Sequence, residues 1–190
     1  MKLLVLDNYD SFTYNLVHMF RSMNIDHEVY RNDKISPEEA LSFDLIILSP
    51  GPGIPSEAGN MGKIIAACAG KKPILGICLG HQAIAEYLGA KLNNMSSVYH
   101  GVKNKINILS NEEIFEGIPE EIEVGRYHSW EVVREGLPEN ISITAEDENG
   151  TIMALSDASQ KLYGIQFHPE SVMTEYGEEM IQNFLKIAHS

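Results

Sequence analysis

Short apolar runs alternate with helical patterns through the first half of this 190-residue chain, and no other feature narrows the possible folds as far. Lys2 to Leu6, His27 to Tyr30, Leu45 to Leu48 and Ile74 to Ile77 read as strands buried in a sheet. Between them lie helices: one capped by Asp10 or Ser11 with Leu16, Met19, Phe20 and Met23 on one face, one carrying Ile64, Ile65, Cys68 and Ala69, and one carrying Ile84, Tyr87 and Leu88. Ser36-Pro37-Glu38-Glu39 reads as a capping box with proline at the first helical position. A β-α-β-α order implies parallel strands joined by right-handed crossovers, with helices on both sheet faces.

From Lys105 to Phe167 the segments are short and strand-like, and Asp147-Glu148-Asn149-Gly150 turns Ile141–Glu146 into Thr151–Leu155. A last helix places Met180, Ile181, Phe184, Leu185 and Ala188 on one face. The expected fold is a three-layer α/β domain, residues 1–190, with a mostly parallel central sheet and an antiparallel extension. A chain of this length buries a sufficient core without metals or disulfides. With 14 basic against 27 acidic residues and a net charge of −13, it would repel phosphate backbones and anionic lipid, so neither nucleic acid nor membrane is expected as a partner. No apolar stretch approaches a membrane span, and no secretory signal is read at the start, which points to the cytoplasm. The sequons at Asn94, Asn140 and Asn149 then carry no meaning.

Ligands of such sheets sit beyond the carboxyl ends of the parallel strands, which directs attention to the loops after Leu48 and Ile77. Gly76-Ile77-Cys78-Leu79-Gly80 is G-x-C-x-G at a strand-to-helix corner, the cysteine form of a nucleophile elbow. A thiol at a helix N-terminus is favoured as thiolate, and the N–H of Leu79 faces the oxygen of an attacked carbonyl. A small core residue is the other reading of Cys78; Cys68, among Ile65, Ala66, Ala67 and Ala69 in mid-helix with no glycine elbow, is inert packing. The best-placed base is His168, with Glu170 two residues on, the same side of an extended segment, able to orient the imidazole. The alternative is a strand-end histidine bonded to backbone.

Ser49-Pro50-Gly51-Pro52-Gly53-Ile54-Pro55 has too many prolines to cradle phosphate, but its stiff backbone can present the N–H groups of Gly51 and Gly53 beside the elbow. Gln82 lies one turn beyond Cys78 on the same helix face; His81 points elsewhere, as a packing or surface residue. His128 is a rival base, and as a metal ligand it lacks companions at ligand spacing.

Taken together, Leu6-Asp7-Asn8-Tyr9-Asp10-Ser11-Phe12-Thr13-Tyr14-Asn15, the loop Ser49–Pro55 with Ser56-Glu57-Ala58-Gly59, Gly76–Gln82, Arg126-Tyr127-His128-Ser129 and Phe167-His168-Pro169-Glu170-Ser171 resemble the triad-type, class I glutamine amidotransferase subunits of anthranilate synthase and aminodeoxychorismate synthase. The likeness runs essentially the full length. It implies a flavodoxin-like α/β fold and a glutaminase with Cys78, His168 and Glu170 as catalytic triad. It also implies glutamine and oxyanion contacts from Gly51, Pro52, Gly53, Leu79, Gln82, Ser129 and Trp130. Metal and cofactor are not expected, and the implied partner is a chorismate-binding synthase subunit that receives the ammonia. Trp130 departs from the leucine usual after Tyr-His-Ser. Two other readings stand beside this one: a stand-alone thiol amidase or γ-glutamyl hydrolase of the same fold, and a flavodoxin-like interaction module without activity.

Overall fold

The computed structural model describes residues 1–188. Nine strands form one sheet in the order β2-β1-β3-β4-β11-β10-β9-β6-β7. The parallel half comprises β1 (Leu3–Asp7), β2 (His27–Arg31), β3 (Leu45–Leu48), β4 (Ile74–Ile77) and β11 (Leu162–Ile165). Antiparallel pairing then carries the sheet through β10 (Ile152–Asp157), β9 (Ser142–Asp147), β6 (Val102–Ile108) and β7 (Glu121–Arg126). A separate pair, β5 (Leu92–Asn94) with β8 (Trp130–Val132), runs antiparallel beside it.

Alternate residues of the central strands face two cores. Leu3, Val5, Leu45, Ile47, Leu75 and Ile77 meet Leu16 and Phe20 of α1 (Phe12–Ser22) and Met180, Ile181 and Phe184 of α5 (Gly177–Ile187). Leu4, Leu6, Ile46, Leu48 and Ile74 meet the other layer, with Ala40 of α2 (Pro37–Ala40), Met61, Ile64 and Ile65 of α3 (Met61–Cys68) and Ile84 of α4 (Leu79–Tyr87). Each such side chain contributes roughly 1.5–3 kcal/mol by leaving water, so both cores hold the strands at fixed spacing below the site. The capping box is present: the Glu39 N–H donates to the Ser36 hydroxyl and the Ser36 N–H to the Glu39 carboxylate. The Asp147–Gly150 turn joins β9 to β10 as expected.

Two local expectations need correction, and the cap expected at Asp10 or Ser11 is shared between the two. The His27–Arg31 strand is not buried: from Glu28 onward its residues are exposed, because β2 is the edge of the sheet. At the start of α1, Asp10 accepts the Phe12 N–H through its carboxylate, while Ser11 occupies the cap position without a side-chain bond. Tyr87 is exposed rather than part of the apolar face of α4. Among the described residues no helix is long and apolar enough to cross a membrane.

Candidate functional site

Cys78 stands where β4 ends and α4 begins, with φ of 53° and ψ of −99°, a left-handed backbone that a side-chain-bearing residue rarely adopts. The neighbours make the corner feasible. A β-carbon on Gly76 would run into the carbonyl of Gly80, and one on Gly80 would lie 2.6 Å from Leu48, so strand, corner and helix approach closer than any other residue permits. Leu79 is the first residue of α4, which leaves its N–H unpaired by the helix and pointed over the corner.

The loop after β3 is fastened beside this corner. The Asn8 backbone N–H donates to the Ser49 hydroxyl at 2.9 Å, its side-chain amide donates to the Ser49 carbonyl at 2.8 Å, and its oxygen accepts from Asn32 at 3.0 Å. A β-carbon on Gly51 would sit 2.6 Å from both Asn8 and Leu79, so this glycine lies directly against the elbow. Pro52 and Gly53 are exposed at the lip.

β11 lies next to β4, with Ile165 opposite Ile77, and the segment that follows carries the second group. His168 and Glu170 are both buried and joined by a 2.7 Å bond from imidazole Nδ1 to the carboxylate. The rings of Phe12 and Tyr127 pack on the imidazole at 4.7 and 4.9 Å, and the backbone of His168 is held by Gly125 and Thr174. Its Nε2 is buried without a hydrogen bond of its own. Burial alone would push the His168 pKa down, but the neighbouring Cys78 sulfur and the Glu170 carboxylate outweigh it and raise the value. The imidazole is thereby kept as a cation, the counter-charge that a thiolate beside it requires.

The wall opposite is built from the second half of the chain. Arg126 is fully buried, paired with Asp147 at 2.7 Å and laid over the Tyr99 ring at 3.6 Å. Its Nε donates to His128 Nε2 at 3.1 Å, and His128 Nδ1 in turn donates to the Trp130 carbonyl at 2.8 Å. Burial, then the Arg126 charge, lowers the His128 pKa to about 4. With the Nε2 lone pair held by Arg126 and the Nδ1 proton by the Trp130 carbonyl, His128 is a bracing residue rather than the rival base. The Tyr127 carbonyl lies 3.9 Å from the Cys78 sulfur. Gln82 is buried and donates to the Trp130 carbonyl at 3.1 Å and to Gln166 at 3.3 Å, so its own oxygen is the atom left to meet a substrate, as an acceptor. The Trp130 carbonyl thus accepts twice, and Ser129 uses its carbonyl to hold Met95.

Residues 4–188 match the family described as glutamine amidotransferase class-I. The chain belongs to the class-I glutamine amidotransferases. It is 43% identical over 191 residues to anthranilate synthase component 2 of Pseudomonas aeruginosa, covering 97% of this chain and 94% of the relative. To the aminodeoxychorismate/anthranilate synthase component 2 of Bacillus subtilis it is 42% identical over 186 residues, covering 97% and 95%. A crystal structure from Thermoplasma acidophilum, provisionally described as a GMP synthase component, superposes with a TM-score of 0.89 at 31% identity, covering 100% of this chain and 94% of that one.

Of the residues singled out in this amidotransferase sequence, Cys78, Leu79, Gly51, Gln82, His168 and Glu170 gather at one end of the parallel strands, with Trp130 reached through its carbonyl. His81 is fully buried, not a surface residue, with its ring against Gly164 and its pKa lowered to about 3 chiefly by burial. Cys68 is the last residue of α3 rather than a mid-helix one; it is buried, and burial raises its pKa, as expected of an inert thiol. Gln166 went unremarked in the sequence although it is fully buried with its amide 3.6 Å from the Cys78 sulfur. The signal was there: extending the alternation of Glu170 and His168 one step back reaches it. Cavities of about 680 Å³ near Lys91 and Arg134 and about 400 Å³ near Glu112 and Tyr163 are lined by none of these residues. No group of three or more His, Cys, Asp or Glu placed to hold a metal occurs among the described residues.

Proposed function

We propose that this chain, working as one domain in the cytoplasm, is the ammonia-supplying subunit of a chorismate-using synthase: anthranilate synthase, aminodeoxychorismate synthase, or both. The reading rests above all on a left-handed cysteine beside a buried, carboxylate-oriented imidazole. The Cys78 sulfur attacks the side-chain amide carbon of glutamine, and the oxygen gathers charge against the N–H groups of Leu79 and of the Gly51–Gly53 loop. His168, oriented by Glu170, gives its proton to the amide nitrogen, the C–N bond breaks, and ammonia leaves a γ-glutamyl thioester. Water, losing a proton to the same imidazole, then adds to the thioester; glutamate departs and the sulfur regains its charge. The Gln82 oxygen, with the backbone around Ser129 and Trp130, holds the amino-acid end. No step calls for a metal or organic cofactor.

Ammonia released into neutral water is protonated and no longer a nucleophile, so its production belongs with a docked acceptor. The names carried by the Pseudomonas and Bacillus relatives support a synthase component as that acceptor. The test is a glutaminase assay on the chain alone and with a chorismate-binding synthase subunit plus chorismate, alongside labelling with a glutamine-mimicking electrophile. Label on Cys78 and not Cys68, and turnover that rises with the partner, are expected. Equal turnover with and without the partner would favour a stand-alone amidase.

A further inference from the structure

We propose that Gln166 is a catalytic residue: its side-chain amide is a second hydrogen-bond donor to the Cys78 sulfur, set in that polarity by Gln82 and the Trp130 carbonyl. This deepens the reading above and rests on Cys78 being the nucleophile. Amide groups are ambiguous until a neighbour of fixed character decides which end is which. Here one exists. A backbone carbonyl only accepts, so the atom of Gln82 3.1 Å from the Trp130 oxygen is its nitrogen. The same nitrogen faces Gln166 at 3.3 Å, which makes the facing atom of Gln166 its oxygen. The Gln166 nitrogen is then the atom 3.6 Å from the Cys78 sulfur, a contact distance for an atom as large as sulfur. The far end is anchored as well: Arg126 only donates, which fixes His128 Nε2 as acceptor and Nδ1 as the donor that shares the Trp130 carbonyl.

Gln166 is fully buried, and its backbone N–H is fixed by Met153. It leads the same extended segment as His168, two positions away, so the sulfur has an imidazole and an amide as neighbours from alternate residues of one backbone. The two donors differ in kind. The imidazole must hand its proton to the departing nitrogen, whereas a neutral amide keeps its hydrogen and stays on the sulfur throughout. The ionisable groups that face this place are His168 with Glu170 behind it, His81 from α4, and, from the opposite wall, His128 with Arg126 and Asp147 beyond; the test alters none of them.

The experiment measures the rate of Cys78 alkylation by iodoacetamide against pH in the full chain, sites being assigned by peptide mass, for wild type, Gln166→Met and Gln166→Glu, with thermal melts alongside. In Gln166→Met the pH of half-maximal rate rises by about one unit, read from the whole rate–pH curve; Gln166→Glu, which sets a carboxylate against the sulfur, moves it further. A role in packing alone would lower the melting temperature and leave the midpoint in place, and an unmoved midpoint in a folded variant overturns the proposal. Should neither variant fold, Gln82→Met reads the same point by freeing the Gln166 amide to turn: a smaller rise supports the proposal and no rise overturns it. A wild-type Cys78 that resists the reagent at every pH overturns the nucleophile reading and this one with it; a reactive wild type with unmoved variants overturns this one alone.

Discussion

The two halves of the sheet share an apolar core and differ in what is added to it. In the parallel half, β3, β4 and β11 are buried along their whole length and nearly all apolar, and the cores on either face fix their spacing. In the antiparallel half, β6 exposes several residues and β7 only Glu121, the two strands are laced by Lys103–Glu123 and Lys105–Glu121 pairs, and a buried Arg126–Asp147 pair joins the apolar Ile106, Ile122 and Val124 that this half gives to one core. The first half sets the Cys78 corner by close packing of backbone. The second shapes the facing wall by hydrogen-bond direction, through Arg126, His128 and Trp130. Shape and polarity are thus supplied by separate regions that meet at β11.

If apolar burial alone held the second half, Arg126→Met would be tolerated. It is expected to cost about 3–5 kcal/mol in denaturant unfolding, because the Asp147 carboxylate is left buried without its cation. A loss under about 1 kcal/mol would break the contrast.

Glu170→Gln probes the seam. Turnover of glutamine should fall about a hundredfold, since the imidazole loses the carboxylate that orients it. The stability effect has a definite sign. His168 holds its proton more tightly folded than unfolded, so the wild type gains fully below about pH 6.5 and loses that gain as pH climbs towards the raised folded value. The melting-temperature gap between wild type and Glu170→Gln should therefore narrow from about pH 6 to about pH 9. A gap that widens would show that the imidazole is neutral in the fold.

The smallest effect is expected from Ser36→Ala in the first half, where the capping bonds are local and exposed. A loss of about 1 kcal/mol in thermal or denaturant unfolding, with glutaminase unchanged, fits a region whose stability resides in its cores.

The same division explains what could be read in the sequence. Runs such as Leu45–Leu48 announce themselves because burial on both faces demands apolar residues throughout, and Gly76 and Gly80 announce the corner because only glycine fits there. Position in the sheet is not local information: nothing within His27–Arg31 says that no strand lies outside it. Nor does composition give direction to a polar chain. That His128 braces rather than takes protons, and that Gln166 turns its nitrogen and not its oxygen to the sulfur, depends on Arg126, Trp130 and Gln82 arriving from separate elements. The Leu92–Asn94 and Trp130–Val132 pair is too short to register as a pattern at all.

The register that sets Ile77 opposite Ile165 has one more result. Cys78 follows Ile77 directly and His168 follows Ile165 by three residues, so sulfur and imidazole both hang from the ends of neighbouring buried strands. The part of the site open to a docking subunit is the proline-rich lip, where Pro52 and Gly53 are exposed, and not the buried strand ends that carry the pair.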